Sequence, residues 1–294
     1  NVTGVQTCAL PISYFSGVST SWLAHAERYV GDMATRFGLH AGSRVVEVAA
    51  NDGYLLQYVK ARGIPCTGVE PTASTAAAAR AKGIEVVQDF FGRRLAAEMV
   101  ARGLQADLMA ANNVLAHVPD INDFAAGFAT LLKPHGVATF EFPHLLRLMA
   151  EAQFDTIYHE HFSYLSLTAV QAVFERAGLR VFDVQELPTH GGSLRVFAQR
   201  AQGGAHAPLP SVQAMLHRET EAGVRTAAYY RGLQPRAERI RDDLLRFLRQ
   251  AKADGRSVVA YGAAAKGNTL LNFAGVGPNL VRCVVDLKIG RAHV

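Results

Sequence analysis

Side chains that can bind metal or transfer protons are concentrated in one short segment of the sequence. Residues 158–164 contain two tyrosines, two histidines and a glutamate: Tyr158, His159, Glu160, His161 and Tyr164. Imidazole and carboxylate groups at this density suit a metal site or acid–base catalysis. The alternative is structural, with histidines that cap a helix or find their partners in the core.

A metal site has the weaker support in this segment. The zinc-binding pattern H-E-x-x-H is not met, because Ser163 stands where the second histidine would be. His159 and His161 could form an H-x-H pair, but two ligands are too few and no carboxylate has a clear partnering spacing. We therefore predict no metal site and favour proton transfer, with the structural interpretation left open.

The elements that must position this segment alternate between strand and helix. Short β-branched runs predict strands at 43–50, 66–70, 84–88, 106–114 and 136–142, and helices at 53–62, 73–83, 92–102 and 121–132. This order predicts a parallel, doubly wound α/β sheet. After a helix at 167–177, strands at 179–187 and 191–200 predict a final antiparallel hairpin. The layout resembles the Rossmann-like sheet of class I methyltransferases.

The histidine-rich segment follows the fifth predicted strand, at the carboxyl edge of this sheet. Open α/β sheets bind their ligands at that edge. The rest of the chain predicts a first domain over 13–205, a helical linker over 206–253 and the start of a second Rossmann-like domain over 254–288.

The two ends of the chain resemble translated sequencing-adapter DNA. Residues 289–294 can be encoded by DNA whose reverse complement lies within a coding sequence for residues 6–12. We therefore predict that residues 1–12 and 289–294 are not native and exclude them from the fold.

Composition narrows the class of protein. The 294 residues are 49% hydrophobic and 19% charged, with a net charge of +5, as in an ordinary globular protein. No basic run suggests a nucleic-acid partner, and no apolar run approaches a membrane span. Three cysteines, at positions 8, 66 and 283, match no metal or disulfide pattern, so we expect a cytoplasmic protein. We also expect a monomer.

Polar residues end the first strands of the predicted sheet and suggest a cofactor site. Glu47 could accept from an ammonium group, Glu70 from two ribose hydroxyls and Asp89 from an adenine amino group, while Asn51 and Gly53 allow a tight turn. The glycines of a dinucleotide-binding motif are absent, which favours an adenosyl ligand without phosphates, S-adenosylmethionine. Three residues after the fourth strand could line its methionine end: Asn112, Asn113 and His117. The alternative is that all of these are caps and turn residues.

Five segments make the sequence resemble a known family, the nucleotide-sugar C-methyltransferases: 47–57, 111–124, 141–166, 188–197 and 260–272. The resemblance implies an S-adenosylmethionine-dependent enzyme that methylates a ring carbon of a nucleotide-linked keto-deoxysugar. Members of this family typically carry an N-terminal zinc module and a complete C-terminal Rossmann-like domain. Neither is found in this sequence, so zinc is expected only in the missing module.

Carbon methylation would require acid–base groups such as those of the histidine-rich segment, because a sugar C–H is not nucleophilic. A base must remove a proton next to the ketone, and a donor must stabilise the enolate oxygen. By resemblance His161 is the base, Glu160 orients it or contacts the sugar, and Tyr158 is a donor. Tyr14 is expected to close the site. His159 is expected to point away if the segment is extended.

The diphosphate of such a substrate requires partners of its own. The segment 261–268 is a predicted strand-to-helix turn that offers Lys266 and Asn268, although it is not a P-loop. A second group of candidates lies in the hairpin: His190, Gly192, Ser193 and Arg195. An exposed helix-start lysine is the alternative interpretation of Lys266.

Two other functions stay open at this stage. An O- or N-methyltransferase of another small molecule would need no strong carbon base. A protein that binds S-adenosylmethionine without turnover is the other alternative.

Overall fold

The computed structural model describes residues 15–262 and 264–285. The adapter-like ends and Tyr14 lie outside the described residues. The chain divides into two compact units. The first unit comprises Asn1–His144 and Phe162–Glu219, and the second comprises Leu145–His161 and Thr220–Val294.

The first unit is built on a seven-stranded sheet. Its strands are β1 (Val45–Val48), β2 (Cys66–Val69), β3 (Glu85–Val87), β4 (Ala106–Asn112), β5 (Leu132–Pro143), β6 (Leu179–Leu187) and β7 (Ser193–Arg200). The order is β3-β2-β1-β4-β5-β7-β6, with the first five strands parallel and β7 antiparallel to both β5 and β6. The predicted α/β sheet with an antiparallel end is confirmed. The chain order reverses between β1 and β4, which is where such sheets bind ligands.

Eleven helices are found in the described part of the chain. They are α1 (Thr20–Arg36), α2 (Leu56–Ala61), α3 (Ala73–Ala81), α4 (Arg93–Ala101), α5 (Ile121–Leu131), α6 (Leu145–Glu151), α7 (Leu167–Arg176), α8 (Pro210–Ala222), α9 (Ala227–Tyr230), α10 (Leu233–Ala253) and α11 (Ala265–Phe273). None of these helices is long and apolar enough to cross a membrane.

Helix α1 covers one face of the sheet in the first unit. It begins after Ser19, whose hydroxyl accepts the N–H of Trp22 at 3.3 Å and caps the helix. Its buried residues recur at helical spacing and pack with apolar residues of β1, β4 and β5: Ala26, Tyr29, Val30 and Met33. Helix α1 was not predicted from the sequence.

The second unit contains α6, α9, α10, α11 and the remaining part of α8, with two short parallel strands, β8 (Ala260–Tyr261) and β9 (Val284–Val285). Ala260 pairs with Val284 and Tyr261 with Val285. The order of these elements along the chain is β8, α11, β9.

Candidate active site

Strained backbone marks the carboxyl edge of the sheet in the first unit. Directly after β1, Ala49 and Asn51 have φ values of 59° and 52°, and Gly53 has a φ of 73°. Beyond β4 and β6, Asn113 and His190 both have a φ of 53°. Non-glycine residues in this conformation cost free energy and cluster at functional sites. Four such residues therefore surround the point where the strand order reverses.

Glu70 holds the loop after β1. Its two carboxylate oxygens accept the backbone N–H groups of Asn51 and Thr72, each at 2.9 Å. Glu70 is only 5% exposed, so bulk water does not compete for these hydrogen bonds. The predicted cofactor residues Asn51 and Glu70 are thus joined in one hydrogen-bonded loop.

Glu47 and Asn112 present buried polar groups without partners. Glu47 is fully buried in β1, and neither of its carboxylate oxygens makes a hydrogen bond. The amide oxygen and nitrogen of Asn112, at the end of β4, are also unsatisfied. The Tyr54 hydroxyl is close enough to affect the titration of Glu47, although no contact meets hydrogen-bond geometry. Buried polar groups usually have partners, so a ligand is a reasonable explanation for these.

Burial raises the pKa of the Glu47 carboxyl well above its usual range, and the nearby charges of Asp52 and Glu70 add to this effect, whereas the Tyr54 hydroxyl lowers that pKa. Burial also raises the pKa of the Tyr54 phenol, and Glu47 raises it further. Both groups are therefore shifted toward their neutral forms.

Asn113 and His190 meet across the same edge of the sheet. The Asn113 Nδ2 and the His190 Nε2 lie 2.6 Å apart, and the buried Asn113 Oδ1 has no partner. Since an amide nitrogen can only donate, the His190 Nε2 must accept and the ring proton must lie on Nδ1 in the neutral form. The Trp22 ring meets the His190 ring edge-on, with centroids 5.3 Å apart. The structure thus brings together one cofactor candidate and one substrate candidate of the sequence analysis.

The other sequence-predicted residues of the first unit lie in different surroundings. His117 is half-buried in the turn Leu115–His117 after β4. Asp89 follows β3 and is paired with Arg94 at 2.6 Å on the surface; this hydrogen bond lowers the Asp89 pKa. The Ser193 hydroxyl donates to the carbonyl of Thr189 at 2.9 Å.

Arg195 is the centre of a buried charged cluster. Its Nε donates to Glu141 Oε1 at 2.7 Å and its Nη1 to Gln185 Oε1 at 3.2 Å. On the other side, the His25 Nε2 lies 3.0 Å from Glu141 Oε2, and Trp22 stacks on the His25 ring at 4.9 Å. Burial alone would raise the Glu141 pKa, but His25 and Arg195 outweigh it and hold that pKa below its usual value.

Residues 158–161 of the histidine-rich segment belong to the second unit, where they form a tight turn. The His161 N–H donates to the Tyr158 carbonyl at 3.0 Å, and the two rings lie 4.4 Å apart. Residues 158–161 are not extended, because this hydrogen bond closes the chain on itself, so the condition under which His159 was expected to point away is not met. His159 and Glu160, at the tip of the turn, are exposed.

The tautomer of His161 follows from its surroundings. Its Nδ1 lies 2.7 Å from the carbonyl oxygen of Thr156. A carbonyl can only accept, so Nδ1 carries a proton and the neutral ring has its lone pair on Nε2. Nε2 is the nitrogen that can act as a base.

The remaining candidates of the second unit lie at the start of α11. Lys266 is half-buried in the first turn, and Asn268 is exposed two residues later. Within 15–262 and 264–285, no group of three or more His, Cys, Asp or Glu side chains is placed to hold a metal ion.

Comparison with protein families decides the classification. A family model described as a methyltransferase domain matches residues 22–184, more than half of the chain. The chain belongs to the methyltransferase family. A second model, described as the C-methyltransferase C-terminal domain, matches residues 188–293. Together the two matches cover residues 22–184 and 188–293, which include parts of both units.

A curated relative extends this finding. The chain is 36% identical over 276 residues to C-methyltransferase NovU of Streptomyces niveus. The aligned region covers 94% of this chain and 66% of that protein. The chain therefore spans just under two thirds of the relative's length.

A solved structure agrees with the fold of this chain. The PH0226 protein from Pyrococcus horikoshii OT3 matches at 12% identity with a TM-score of 0.50, over 66% of this chain and 98% of that one. The magnesium protoporphyrin IX methyltransferase of Synechocystis PCC 6803 with bound SAH matches at 14% identity and a TM-score of 0.48, over 60% and 83%. At this identity the first likeness concerns the fold alone.

Trp22 and His25 of α1, which contact His190 and Glu141, were not predicted from the sequence. The helical spacing of Ala26, Tyr29, Val30 and Met33 was the signal that would have revealed the helix. His25 has no motif of its own, because its partner Glu141 lies 116 residues away.

Proposed function

We propose that this chain is the larger part of an S-adenosylmethionine-dependent C-methyltransferase that acts on a nucleotide-linked keto-deoxysugar. The class of reaction is supported by the relative described as a C-methyltransferase and by the second family model. The sugar substrate is supported by the resemblance of the five sequence segments, and it stays a proposal.

The residues of the first unit fit a cofactor of this kind. Glu47 and Asn112 supply buried polar atoms without partners beside the point where the strand order reverses. A side chain at Gly53 would collide with Ile84, so the loop is packed closely without being a phosphate-binding glycine loop. We propose eight residues that hold the cofactor: Glu47, Asn51, Gly53, Glu70, Asp89, Asn112, Asn113 and His117. Bound S-adenosylmethionine would supply a methyl group activated by its sulfonium.

The observation that carries the carbon-methylation proposal is the tautomer of His161. The Thr156 carbonyl keeps the proton on Nδ1, so Nε2 carries the lone pair of the neutral ring and is the nitrogen that we propose to take a proton from the carbon next to the ketone. Tyr158, packed against this ring, is proposed to donate to the enolate oxygen, and Glu160 to contact the sugar. Tyr14 remains the fourth catalytic candidate.

The residues proposed to contact the sugar nucleotide either carry hydrogen-bond donors or are glycines, whose backbone a ligand can approach closely. We propose that it contacts His190, Gly192, Ser193, Arg195, Lys266 and Asn268. Arg195 is already paired with Glu141, so its contribution is expected to be the positioning of that cluster more than direct phosphate binding. A cytoplasmic monomer remains our expectation.

The experiment uses the full-length gene product with dTDP- and GDP-linked keto-deoxysugars. Methyl transfer to carbon is followed with labelled S-adenosylmethionine, and deuterium exchange from solvent is followed at the carbon next to the ketone with S-adenosylhomocysteine present. Both signals are expected. Methyl transfer to oxygen or nitrogen without exchange would support the alternative methyltransferase, and cofactor binding without transfer to any substrate would indicate a binding protein.

A further inference from the structure

The Glu47 carboxyl group has an unusual electrostatic environment for a buried acid. It is fully buried, and neither oxygen has a hydrogen-bond partner. The titratable groups that influence it or are influenced by it are acids, phenols and a thiol: Asp52, Glu70, Tyr54, Tyr29 and Cys66. None of these can bring a positive charge.

The cations of the surrounding elements bind other groups: Arg44 donates to the Thr67 hydroxyl at 3.3 Å, and Lys60 donates to the Lys82 carbonyl at 3.0 Å. The Lys82 Nζ lies 3.2 Å from Asp52 Oδ2 and 2.6 Å from the Asp52 carbonyl. Arg195 is paired with Glu141. No ion pair to Glu47 occurs among the described residues, so an ionised Glu47 would be a buried charge without compensation. Such a charge is costly enough that the group normally binds a proton instead.

We propose that Glu47 is a neutral carboxylic acid in the free protein and becomes a carboxylate, releasing its proton to solvent, when it accepts a hydrogen bond from the ammonium group of the cofactor. The proposal rests on the cofactor assignment made above. The balance is one O–H bond broken at Glu47 and one proton transferred to buffer, while the ammonium group keeps its three protons.

The shift in the Glu47 pKa is consistent with this proton. Burial, the largest cause, raises it, and the charges of Asp52 and Glu70 act in the same direction, while the Tyr54 hydroxyl lowers it without offsetting burial. An ammonium group placed beside Glu47 would act in the opposite direction. A ligand that lowers the pKa of a group when it binds releases protons from that group. The affinity for the ligand then depends on pH, with a slope equal to the number of protons released.

Calorimetry of S-adenosylhomocysteine binding tests the inference, because this ligand carries the same amino-acid end. Titrations between pH 5.5 and 8, in pairs of buffers with different ionisation enthalpies, give the number of protons released. We expect the release to approach one proton per ligand at the acidic end and to fall towards zero as pH rises. Affinity should increase by about tenfold per pH unit where release is complete.

Two variants make the result specific to Glu47. Glu47→Gln removes the titrating group while keeping its shape, so the released proton should disappear. Glu98→Gln changes an exposed glutamate on α4 and should leave the release unchanged. His117 is present in both variants, so any proton that it contributes cancels in the comparison.

A spectroscopic measurement covers the case in which Glu47→Gln folds poorly. The infrared carbonyl band of a protonated carboxyl should be present in the wild-type protein and should vanish when S-adenosylhomocysteine binds. Binding with no proton release, or with the same release in Glu47→Gln as in the wild type, would overturn the inference alone. A wild-type protein that does not bind the ligand would overturn the cofactor assignment and this inference with it.

Discussion

The carboxyl groups of Glu47 and Glu70, both near the carboxyl ends of strands, differ in their hydrogen bonding. Glu70 accepts two backbone N–H groups and closes the loop after β1. Glu47, one strand away, accepts none. Both positions were predicted from the sequence, because an acid at the carboxyl end of a parallel strand points towards the ligand edge. Their opposite hydrogen-bonding states could not be predicted, since they depend on how the loop 49–53 folds back over β1 and β2.

Glu70→Ala is expected to weaken S-adenosylmethionine binding by tenfold or more. The change removes acceptors proposed for the ribose and releases the N–H groups of Asn51 and Thr72. Hydrogen bonds to a charged group contribute about 1.5–3 kcal/mol each, so one lost bond gives a loss of this order. Calorimetry measures it, with Glu85→Ala on the exposed strand β3 as the control. Unchanged affinity in Glu70→Ala would remove Glu70 from the site.

Helix α1 is held to the sheet by polar contacts with β5 and β7. His25 and Arg195 both bind Glu141, and the Tyr29 hydroxyl lies 2.6 Å from the Thr139 hydroxyl. The strands and most other helices were predictable, because β-branched runs and alternation leave local signals. Helix α1 also leaves a local signal in the spacing of its buried residues, but the role of its polar residues could not be predicted, because their partners lie on distant strands.

Glu141→Gln should therefore destabilise the first unit. The substitution leaves the buried Arg195 without its counter-charge, and breaking a buried pair in this way costs about 3–5 kcal/mol. Urea unfolding at neutral pH measures the change. The matched control Glu98→Gln is exposed and should alter stability by less than about 0.5 kcal/mol. Equal stability of the two variants would show that the cluster does not hold α1 to the sheet.

At the scale of the whole first unit, another buried acid joins three segments. Glu219 of α8 accepts from the N–H groups of Leu167 and Thr168, at 2.6 and 2.7 Å, and from the Thr168 hydroxyl at 2.6 Å. Its Oε1 lies 2.7 Å from His144 Nε2 at the end of β5. The helix propensities of α7 and α8 were visible in the sequence, but this connection between them was not.

The acid stability of the protein should depend on Glu219. Burial raises its pKa, but the bonds from His144 and Thr168 outweigh this and lower it. Since the unfolded state then binds the proton more readily, the stabilisation is fully present above the unfolded pKa, about 4.3, and is lost as pH falls through the folded pKa. Glu219→Gln should be less stable than the wild type at pH 7, and the difference should shrink as pH falls below about 4.

Urea unfolding of both proteins at several pH values measures this difference. A difference in the free energy of unfolding between wild type and Glu219→Gln that stays constant down to the lowest pH at which both fold would contradict the assignment.

Glu47 should affect stability in the opposite sense, because its pKa is raised. Its proton stabilises the fold at low pH, and this contribution is lost as pH rises through its folded pKa.

The central claim is that His161 is the base of a carbon methylation. Its direct test is deuterium exchange at the carbon next to the ketone, in the full-length protein with a nucleotide-linked keto-deoxysugar and S-adenosylhomocysteine. Loss of a general base typically costs about 10²–10⁴ in rate. His161→Asn should lose exchange by this factor while binding cofactor and sugar, and His159→Asn, changed at the exposed tip of the turn, should lose much less. Exchange at the wild-type rate in His161→Asn would contradict the account.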